Sequence, residues 1–226
     1  MDKCWLYDNC NHKYCNAICP RQIKLSALFS NSKLPRSKWV KTKLFVDKDR
    51  TDADCFEQLR SIEDKIVSFV AKGNNLFIHS PISGNGKTSW AIRLLQDYIY
   101  KTWNAYDIQD CAILFIDVPK LLDSIKLNIG GYDDYAPDIL AKVNNADLVV
   151  WDDIASKFGS SYDIDKLFSL INGRIENDKA NIFTSNLDTD EIRQALGARL
   201  ASRIGNGSIN IEFHGSDKRV LAIKEM

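Results

Sequence analysis

A short loop between an apolar run and a helical pattern constrains this chain more than any other stretch. Residues 75–80 form an apolar run that predicts a buried strand, and a helical pattern extends from Lys87 to about Tyr100. The loop between them ends in Gly-Lys-Thr, as does the phosphate-binding pattern G-x-x-x-x-G-K-[ST]. Because backbone N–H groups in such a loop and at a helix N-terminus bind phosphate oxygens, the stretch predicts a nucleotide site. An ordinary glycine turn before a helix is the alternative.

We expect consecutive loop residues to contact the nucleotide: Ser83, Gly84, Asn85, Gly86, Lys87 and Thr88. Lys87 would reach the outer phosphates, and the hydroxyl of Thr88 would help to hold Mg²⁺. Pro81 departs from the pattern, because it stands where the first glycine is expected. Gly84 and Gly86 keep their freedom of φ, so the departure concerns only the outer turn of the loop.

A second apolar run, residues 146–154, contains two adjacent carboxylates and has the arrangement of a Walker B strand. Asp152 would bind Mg²⁺ directly or through water, and Asp153 would polarise the water that attacks the γ-phosphate. Asn186 follows a predicted strand over residues 180–185, where a polar side chain would sense the γ-phosphate and orient that water. Each of these side chains alone also occurs in a polar turn after a strand. In this order after the loop, they favour ATP hydrolysis.

Two arginines, Arg199 and Arg203, lie one turn apart on a predicted helix over residues 196–204 and can share a face. A guanidinium that reaches from such a helix into the ATP site of a neighbouring subunit would be an arginine finger, which stabilises transition-state charge. A surface pair with solvated side chains is the alternative.

Apolar runs and helical patterns alternate along the chain, which predicts an α/β fold with a parallel, doubly wound sheet. Further strands are expected at residues 111–117, 208–213 and 220–223. Helices are expected at residues 22–29, 52–72, 118–128, 138–143 and 162–178, and the second of these would be capped by Thr51 or Asp52.

Cysteines are concentrated near the N-terminus: Cys4, Cys10, Cys15 and Cys19. Zinc prefers four soft ligands in a tetrahedron, and a segment this short has no core of its own without a metal. We therefore predict a structural Zn²⁺ site made by these thiolates, with His12 in place of one of them as the alternative. Disulfides are the rival interpretation, but they are rare in the cytoplasm. The predicted domains are a zinc-binding module with a basic linker over residues 1–44 and an ATPase domain over residues 45–226.

The net charge of the 226 residues is zero, but the charge is unevenly distributed. Residues 1–50 hold 11 lysines and arginines against 4 acidic residues, whereas the remainder holds 19 against 26. A basic arm on an acidic body suggests an anionic or acidic partner for the N-terminus, with a merely soluble surface as the alternative. There is no run of 18 apolar residues and no signal-peptide layout, so we expect a cytoplasmic protein without a membrane partner.

These segments together resemble bacterial replicative helicase loaders of the DnaC/DnaI type, within the AAA+ ATPases. The resemblance rests on SGNGKT (83–88), the helix at 117–126, VVWDDI (149–154), FTSN (183–186) and LGARLASRI (196–204). It implies a P-loop AAA+ core with a parallel sheet and flanking helices, no C-terminal helical lid, and a small N-terminal zinc-binding module. An ending soon after the last motif is also typical of that group.

The resemblance also implies roles for individual residues. Lys87 and Thr88 match the Walker A pair, Asp152 and Asp153 match the Walker B pair, Asn186 matches sensor 1 and Arg203 matches the arginine finger. Arg199 matches a neighbouring arginine whose role the sequence leaves open. Residues in positions that face single-stranded DNA in such loaders are Lys120, Lys126, Ser160 and Tyr162.

A loader of this kind would bind a replicative DNA helicase and single-stranded DNA, assemble into a ring or spiral, and hydrolyse ATP at subunit interfaces. Two other functions remain open. The chain could be a transposase helper or another DNA-remodelling ATPase, or an adaptor that binds ATP without hydrolysing it.

Overall fold

The computed structural model describes residue 10 and residues 18–45, 51–127, 133–156 and 160–219. Within these ranges the strands are β1 (Asn75–His79), β2 (Ile113–Asp117), β3 (Leu148–Asp152), β4 (Ala180–Ser185) and β5 (Ile209–Glu212). The helices are α1 (Pro20–Asn31), α2 (Ala53–Asp64), α3 (Ile66–Ala71), α4 (Lys87–Thr102), α5 (Val118–Leu127), α6 (Tyr135–Lys142), α7 (Ser161–Glu176), α8 (Thr189–Leu196) and α9 (Ala198–Ala201). A π-helical turn, Ser202–Asn206, follows α9.

The described strands form one parallel sheet in the order β2-β3-β4-β1-β5. This confirms the predicted α/β fold with a parallel sheet. The pairing aligns His79 with Ser185 on β1 and β4, and Trp151 with Phe183 on β3 and β4. The residues that follow these three strands therefore meet at one edge of the sheet, which is where ligands bind in open α/β folds.

Alternate strand residues pack into separate cores on the two faces of the sheet. Leu76 and Ile78 contribute to the core beneath α1 to α4, whereas Phe77 between them contributes to the core beneath α5 to α9. The same alternation separates Val150 from Trp151 on β3. Strands buried on both faces account for the continuous apolar runs in the sequence.

The helix before residue 45 belongs to the first of these cores. Leu25, Leu28 and Phe29 of α1 are almost fully buried, and the N–H of Phe115 on β2 donates to the carbonyl of Ser32 at 2.8 Å. The domain division at residue 45 stays a prediction. The described residues 20–44, interpreted from the sequence as a linker with one short helix, are packed against the body of the protein.

Two predicted helices are interrupted. The helix expected over residues 52–72 is divided into α2 and α3 at Lys65, whose φ and ψ of −104° and 19° leave the helical region. The helix expected over residues 196–204 is broken by Gly197, whose φ of +86° and ψ of 160° separate α8 from α9. The sequence patterns also missed most of α8. The strand expected at residues 220–223 lies outside the described residues, so that prediction is not tested.

A segment without regular secondary structure, residues 213–218, follows β5, and no helical lid follows that strand in the part of the chain that the structure describes. None of the described helices is long and apolar enough to cross a membrane.

Candidate nucleotide site

The loop between β1 and α4 is organised by the hydroxyl of Ser80. Its Oγ accepts hydrogen bonds from the N–H of Ile82 at 3.1 Å and from Nδ2 of Asn85 at 2.7 Å. The left-handed conformations of the loop fall at Gly84 and Gly86, with φ of 77° and 108°, and not at Pro81. The outer turn therefore accommodates proline, because the side chain of Ser80 closes the turn around it.

The ammonium of Lys87 lies inside this loop. Its Nζ donates to the carbonyls of Ser80 at 3.2 Å and Ile82 at 2.8 Å, and to Oδ1 of Asn85 at 3.3 Å. Burial lowers the pKa of Lys87 to about 8, although the nearby carboxylates of Asp153 and Asp152 oppose the shift. An anion bound in the loop would restore the pKa, since it would stabilise the charged form.

The carboxylate of Asp152 joins the loop to the end of β3. Its Oδ1 accepts hydrogen bonds from the hydroxyls of Thr88 at 2.8 Å and Thr184 at 2.7 Å. Burial raises the pKa of Asp152, and both hydrogen bonds act in the opposite direction. A hydroxyl and a carboxylate held together in this way fit Mg²⁺, which takes oxygen ligands and retains several waters beside nucleotide phosphates.

Asp153 has a left-handed backbone, with φ of 57°, which a residue with a side chain adopts only at some cost. Hydrogen bonds to β4 hold it there: its N–H donates to Oγ1 of Thr184 at 2.9 Å, and the next N–H, that of Ile154, donates to the carbonyl of Thr184. The side chain of Asp153 accepts a long hydrogen bond of 3.4 Å from Nδ2 of Asn186. The structure thus brings Asp152, Asp153 and Asn186 together with the loop, and their roles in binding and hydrolysis stay predictions. Backbone strain of this kind is concentrated at functional sites.

A cavity of about 1230 Å³ extends from the loop across these residues. Its described cationic lining residues are Lys38, Lys41, Lys43, Lys87, Lys218 and Arg219, against the carboxylates of Asp152 and Asp153. This excess of positive charge suits a polyanion such as a nucleoside triphosphate. Sequence patterns indicated Lys87 alone among these cations, because the others lie outside any phosphate-binding motif.

Part of the cavity wall is the stretch over residues 37–45, which the sequence patterns did not assign to the site. The side chain of Gln96 on α4 binds it through the carbonyls of Lys38 and Val40 and the N–H of Thr42. Arg93, one turn before Gln96, donates to the carbonyl of Thr42 at 3.1 Å. The polar residues Arg93 and Gln96 on the predicted helix were the only sequence signal for this part of the wall. The signal was insufficient, because their hydrogen-bond partners lie more than fifty residues earlier in the chain.

The two predicted arginines have different surroundings. Arg199 lies over the ring of Phe168 on α7, with its guanidinium carbon 4.2 Å from the ring centroid. Arg203, in the π-helical turn, is exposed. Neither is among the described residues that line the cavity. Both side chains are exposed, but the guanidinium of Arg199 contacts a ring of its own chain, which makes Arg203 the stronger candidate for contact with another subunit.

The residues predicted to face DNA are partly occupied by contacts within the chain. Lys126 forms an ion pair with Asp163 at 3.0 Å, and Ser160 and Asp163 form the capping box of α7. Burial would raise the pKa of Asp163, but hydrogen bonds from Lys126 and Ser160 hold it below its usual range. Nζ of Lys120 lies 4.4 Å from the ring centroid of Tyr135. Tyr162 is 60% exposed and is the least engaged of the four predicted residues.

The predicted zinc site lies partly outside the described residues, because Cys4, Cys15 and His12 fall there. Cys10 and Cys19 are free thiols, and Cys10 accepts a hydrogen bond from Arg21 at 3.8 Å. No group of three or more possible metal ligands occurs among the residues that can be described. The zinc site stays a prediction.

The sequence and the fold were compared with known protein families and solved structures. A sequence model of the family described as IstB-like ATP binding protein matches residues 17–205. No curated protein matches the sequence. Solved structures that are similar include the DnaC helicase loader, which is 20% identical, with coverage of 80% of this chain and 100% of that chain and a TM-score of 0.61.

Two further structures are similar at the same level. DnaI is 19% identical, with coverage of 80% of this chain and 95% of that chain and a TM-score of 0.59. AMPPCP-bound DnaA from Aquifex aeolicus is 18% identical, with coverage of 80% of this chain and 52% of that chain and a TM-score of 0.58. At these identities the likeness is evidence of the fold alone, and together with the family match it supports the predicted α/β core of a parallel sheet with flanking helices.

Proposed function

The chain belongs to the IstB-like ATP-binding protein family, and from this premise we propose that it is an ATP-hydrolysing helicase loader. It would bind a replicative hexameric helicase and single-stranded DNA during the initiation of DNA replication, in the cytoplasm of a bacterial cell or, if a phage encodes it, of the host cell. Hydrolysis would occur at interfaces between subunits of a ring or spiral.

One observation carries the proposal of ATP hydrolysis. The Thr88 hydroxyl and the Asp152 carboxylate are hydrogen-bonded at 2.8 Å, and Asp153 and Asn186 lie beside them at the same edge of the sheet. A protein that only bound ATP would need the loop and its lysine. It would not need Asp153, a second carboxylate whose backbone is left-handed and which accepts a hydrogen bond from the amide of Asn186.

Each residue of the site has a task in this proposal. The N–H groups of the loop and the ammonium of Lys87 bind the phosphates, and Thr88 and Asp152 would hold Mg²⁺. Bound there, Mg²⁺ would neutralise part of the phosphate charge. Asp153 accepts a hydrogen bond from the attacking water, and the amide of Asn186 fixes the position of that carboxylate.

The test of hydrolysis is the substitution Asp153→Asn. Asparagine also tolerates a left-handed backbone, so the variant should fold. We expect ATP to bind within about twofold of the wild-type Kd, whereas steady-state release of phosphate should fall by roughly 100-fold or more. Wild-type turnover in the variant would show that Asp153 does not act on water. A wild-type protein that binds ATP but releases no phosphate would favour the adaptor that binds ATP without hydrolysing it.

The role in helicase loading is supported by the family and by the fold, which the chain shares with the DnaC helicase loader. The exposed ring of Tyr162 near the N-terminus of α7 would stack on a base, and Lys120 and Lys126 would contact phosphates. An affinity pull-down with the replicative helicase of the same cell or its host tests the partner. An ATP-dependent complex is expected, and its absence would contradict the loader function.

The N-terminal cysteines would contribute a Zn²⁺-bearing module that contacts the helicase. Purified protein should contain about one zinc per chain, released by a strong chelator. Substitution of Cys19 by serine should lower the zinc content without loss of ATP binding, since the ATP site is formed by other elements. A protein that contains no zinc, with its cysteines reduced, would contradict this module.

A transposase helper would use the same fold and the same ATP site, and the matching family is described by ATP binding alone. The two functions differ in the kind of DNA that the protein would bind. A loader should prefer single-stranded DNA and respond to the helicase, whereas a transposase helper should bind duplex DNA, form filaments and be indifferent to the helicase. Fluorescence anisotropy with matched single-stranded and duplex oligonucleotides distinguishes them.

A further inference from the structure

The segment that follows β5, residues 213–219, crosses the phosphate loop, and we refer to it as the C-terminal strap. It packs directly on the loop: a Cβ on Gly84 would lie 2.1 Å from Oδ1 of Asp217. The backbone N–H of Lys218 donates to the carbonyl of Gly84 at 2.9 Å, and its Nζ donates to the carbonyl of Asn85 at 2.9 Å. One strap residue thus binds two consecutive carbonyls of the loop.

Lys218 is unusual because its charged side chain is buried. The residue is 4% exposed, and its Nζ lies 3.5 Å from Oδ2 of Asp52 and 4.7 Å from the ring centroid of Phe56. Lysine is almost never fully buried unless it is paired. A buried ammonium is costly, so its retention here requires a task that an apolar residue would not perform.

The carboxylate of Asp52 completes this arrangement. It lies at the start of α2 but makes no helix-capping hydrogen bond there. Instead it accepts hydrogen bonds from the N–H groups of His214 at 2.7 Å and Gly215 at 3.1 Å. Asp52 therefore binds the strap at two backbone positions and at the Lys218 ammonium, and the strap in turn binds the loop.

The geometry of the peptide unit links these contacts to phosphate binding. In a planar trans peptide, the carbonyl and the N–H of the next residue point in opposite directions. Because the carbonyls of Gly84 and Asn85 point toward Lys218, the N–H groups of Asn85 and Gly86 point away from the strap. Backbone N–H groups of such a loop are the donors that bind phosphate oxygens.

We propose that Lys218 is a positioning residue for the phosphate loop: it fixes two loop peptides so that their N–H groups are oriented for the phosphates of ATP. This inference rests on the proposed ATP-binding function and extends it to a residue outside every nucleotide-binding motif. The strap thereby becomes part of the nucleotide site.

The experiment must separate this role from simple stabilisation, because Lys218→Met alone would leave Asp52 buried without its cation. The double variant Asp52→Asn/Lys218→Met removes both charges, and asparagine keeps an oxygen for the strap N–H groups. We expect the single variant Lys218→Met to lose stability in urea denaturation and the double variant to regain most of it. The Kd for ATP with Mg²⁺, measured by calorimetry, should nevertheless stay roughly tenfold weaker in the double variant.

Two controls make the comparison specific. Asp52→Asn alone leaves the Lys218 ammonium without its carboxylate and should lose stability, but it keeps Lys218 on the Asn85 carbonyl and should weaken ATP binding less than the double variant does. Lys101→Met is the matched lysine control, because Lys101 donates to the carbonyls of Glu63 and Asp64 and pairs with Asp97. It lies about 20 Å along α4 from Lys87, so its loss should change stability and not the Kd.

Wild-type ATP affinity in the double variant would overturn the inference and leave the proposed function intact. Equal weakening by Asp52→Asn alone would also overturn it, since the ion pair and not the loop contact would then be responsible. Absence of ATP binding by the wild-type protein would overturn the proposed function and, with it, this inference.

Discussion

The Lys87 side chain makes ATP affinity depend on pH. Burial lowers its pKa to about 8 in the nucleotide-free fold, so the ammonium loses its proton as the pH rises through that value. Phosphate favours the charged form, so binding takes up a proton above this pH and affinity falls by at most about tenfold per pH unit. We expect a nearly constant Kd up to about pH 7.5 and steady weakening toward about pH 9.5.

The control for this pH dependence is Lys87→Arg, because a guanidinium keeps its charge over the whole range. Its affinity should be lower than that of the wild type at neutral pH and should not change with pH. If calorimetry shows that the Kd for ATP changes equally with pH in the two proteins, a group other than Lys87 is responsible for the pH dependence.

Thr184 is a further residue on which the proposed hydrolysis would depend. Its hydroxyl donates to Asp152 and accepts from the N–H of Asp153, so it determines the positions of both carboxylates. Thr184→Val keeps the shape but removes these hydrogen bonds. Phosphate release should fall roughly 10- to 100-fold, as it does when a group that orients a metal ligand is lost. Thr184→Ser should recover most of the activity, and failure of that rescue would indicate a packing effect.

The positions of Lys87, Thr88, Asp152 and Asp153 in the candidate site could be predicted from the sequence. Lys87 and Thr88 begin a helix after a glycine loop, and the two carboxylates stand at the end of an apolar strand. Ser80, Thr184 and Lys218 could not, because the partner of each is determined by how strands and loops meet in space. The donor and acceptor of the Lys218–Asn85 hydrogen bond, for example, are 133 residues apart. A sequence pattern identifies residues that contact substrate far better than residues that position them.

At the level of elements, apolar runs and periodic apolar residues predicted α4, α7 and the five described strands to within a few residues. The errors concern helix interruptions. Lys65 ends α2 although it lies within a continuous 3.6-residue pattern, because its φ and ψ of −104° and 19° leave the helical region. Gly197 was included in a predicted helix, since glycine is tolerated in such patterns. Its φ and ψ instead redirect the chain and place Arg199 against α7.

The break at Gly197 can be tested directly. Its φ of +86° with ψ of 160° belongs to a region that glycine alone occupies readily, so Gly197→Ala should lower the free energy of unfolding by roughly 1–3 kcal/mol. Gly173 lies within α7, and a Cβ there would meet nothing within 4 Å. Gly173→Ala should therefore raise the free energy of unfolding by about 0.5–1 kcal/mol in urea denaturation. A harmless Gly197→Ala would mean that residues 196–204 form the continuous helix that the sequence suggested.

At the scale of the whole molecule, the site of one chain contains every group proposed for binding ATP but no described arginine from the α9 region. Both Arg199 and Arg203 are exposed, but the guanidinium of Arg199 is stacked on the ring of Phe168. The sequence alone could not assign these roles, since both arginines lie on one face of the predicted helix. The structure separates them because the π-helical turn begins between them.

This separation predicts complementation between defective subunits. Lys87→Ala should not bind ATP but should still supply Arg203, whereas Arg203→Ala should bind ATP but lack the finger. Each alone should release phosphate at a rate near background. In an equimolar mixture at high protein concentration, roughly a quarter of head-to-tail interfaces would pair an intact ATP site with an intact Arg203, so activity should reappear.

The exposed arginine of α8 supplies the control, because Arg193 forms its ion pair with Asp190 of the same helix. Arg193→Ala should retain wild-type activity alone. A mixture of Lys87→Ala and Arg203→Ala that assembles, by light scattering, yet releases no phosphate would show that Arg203 does not act across the interface. Recovery that rises with total protein concentration is the expected result, since the active site forms only when two chains meet and each contributes what the other lacks.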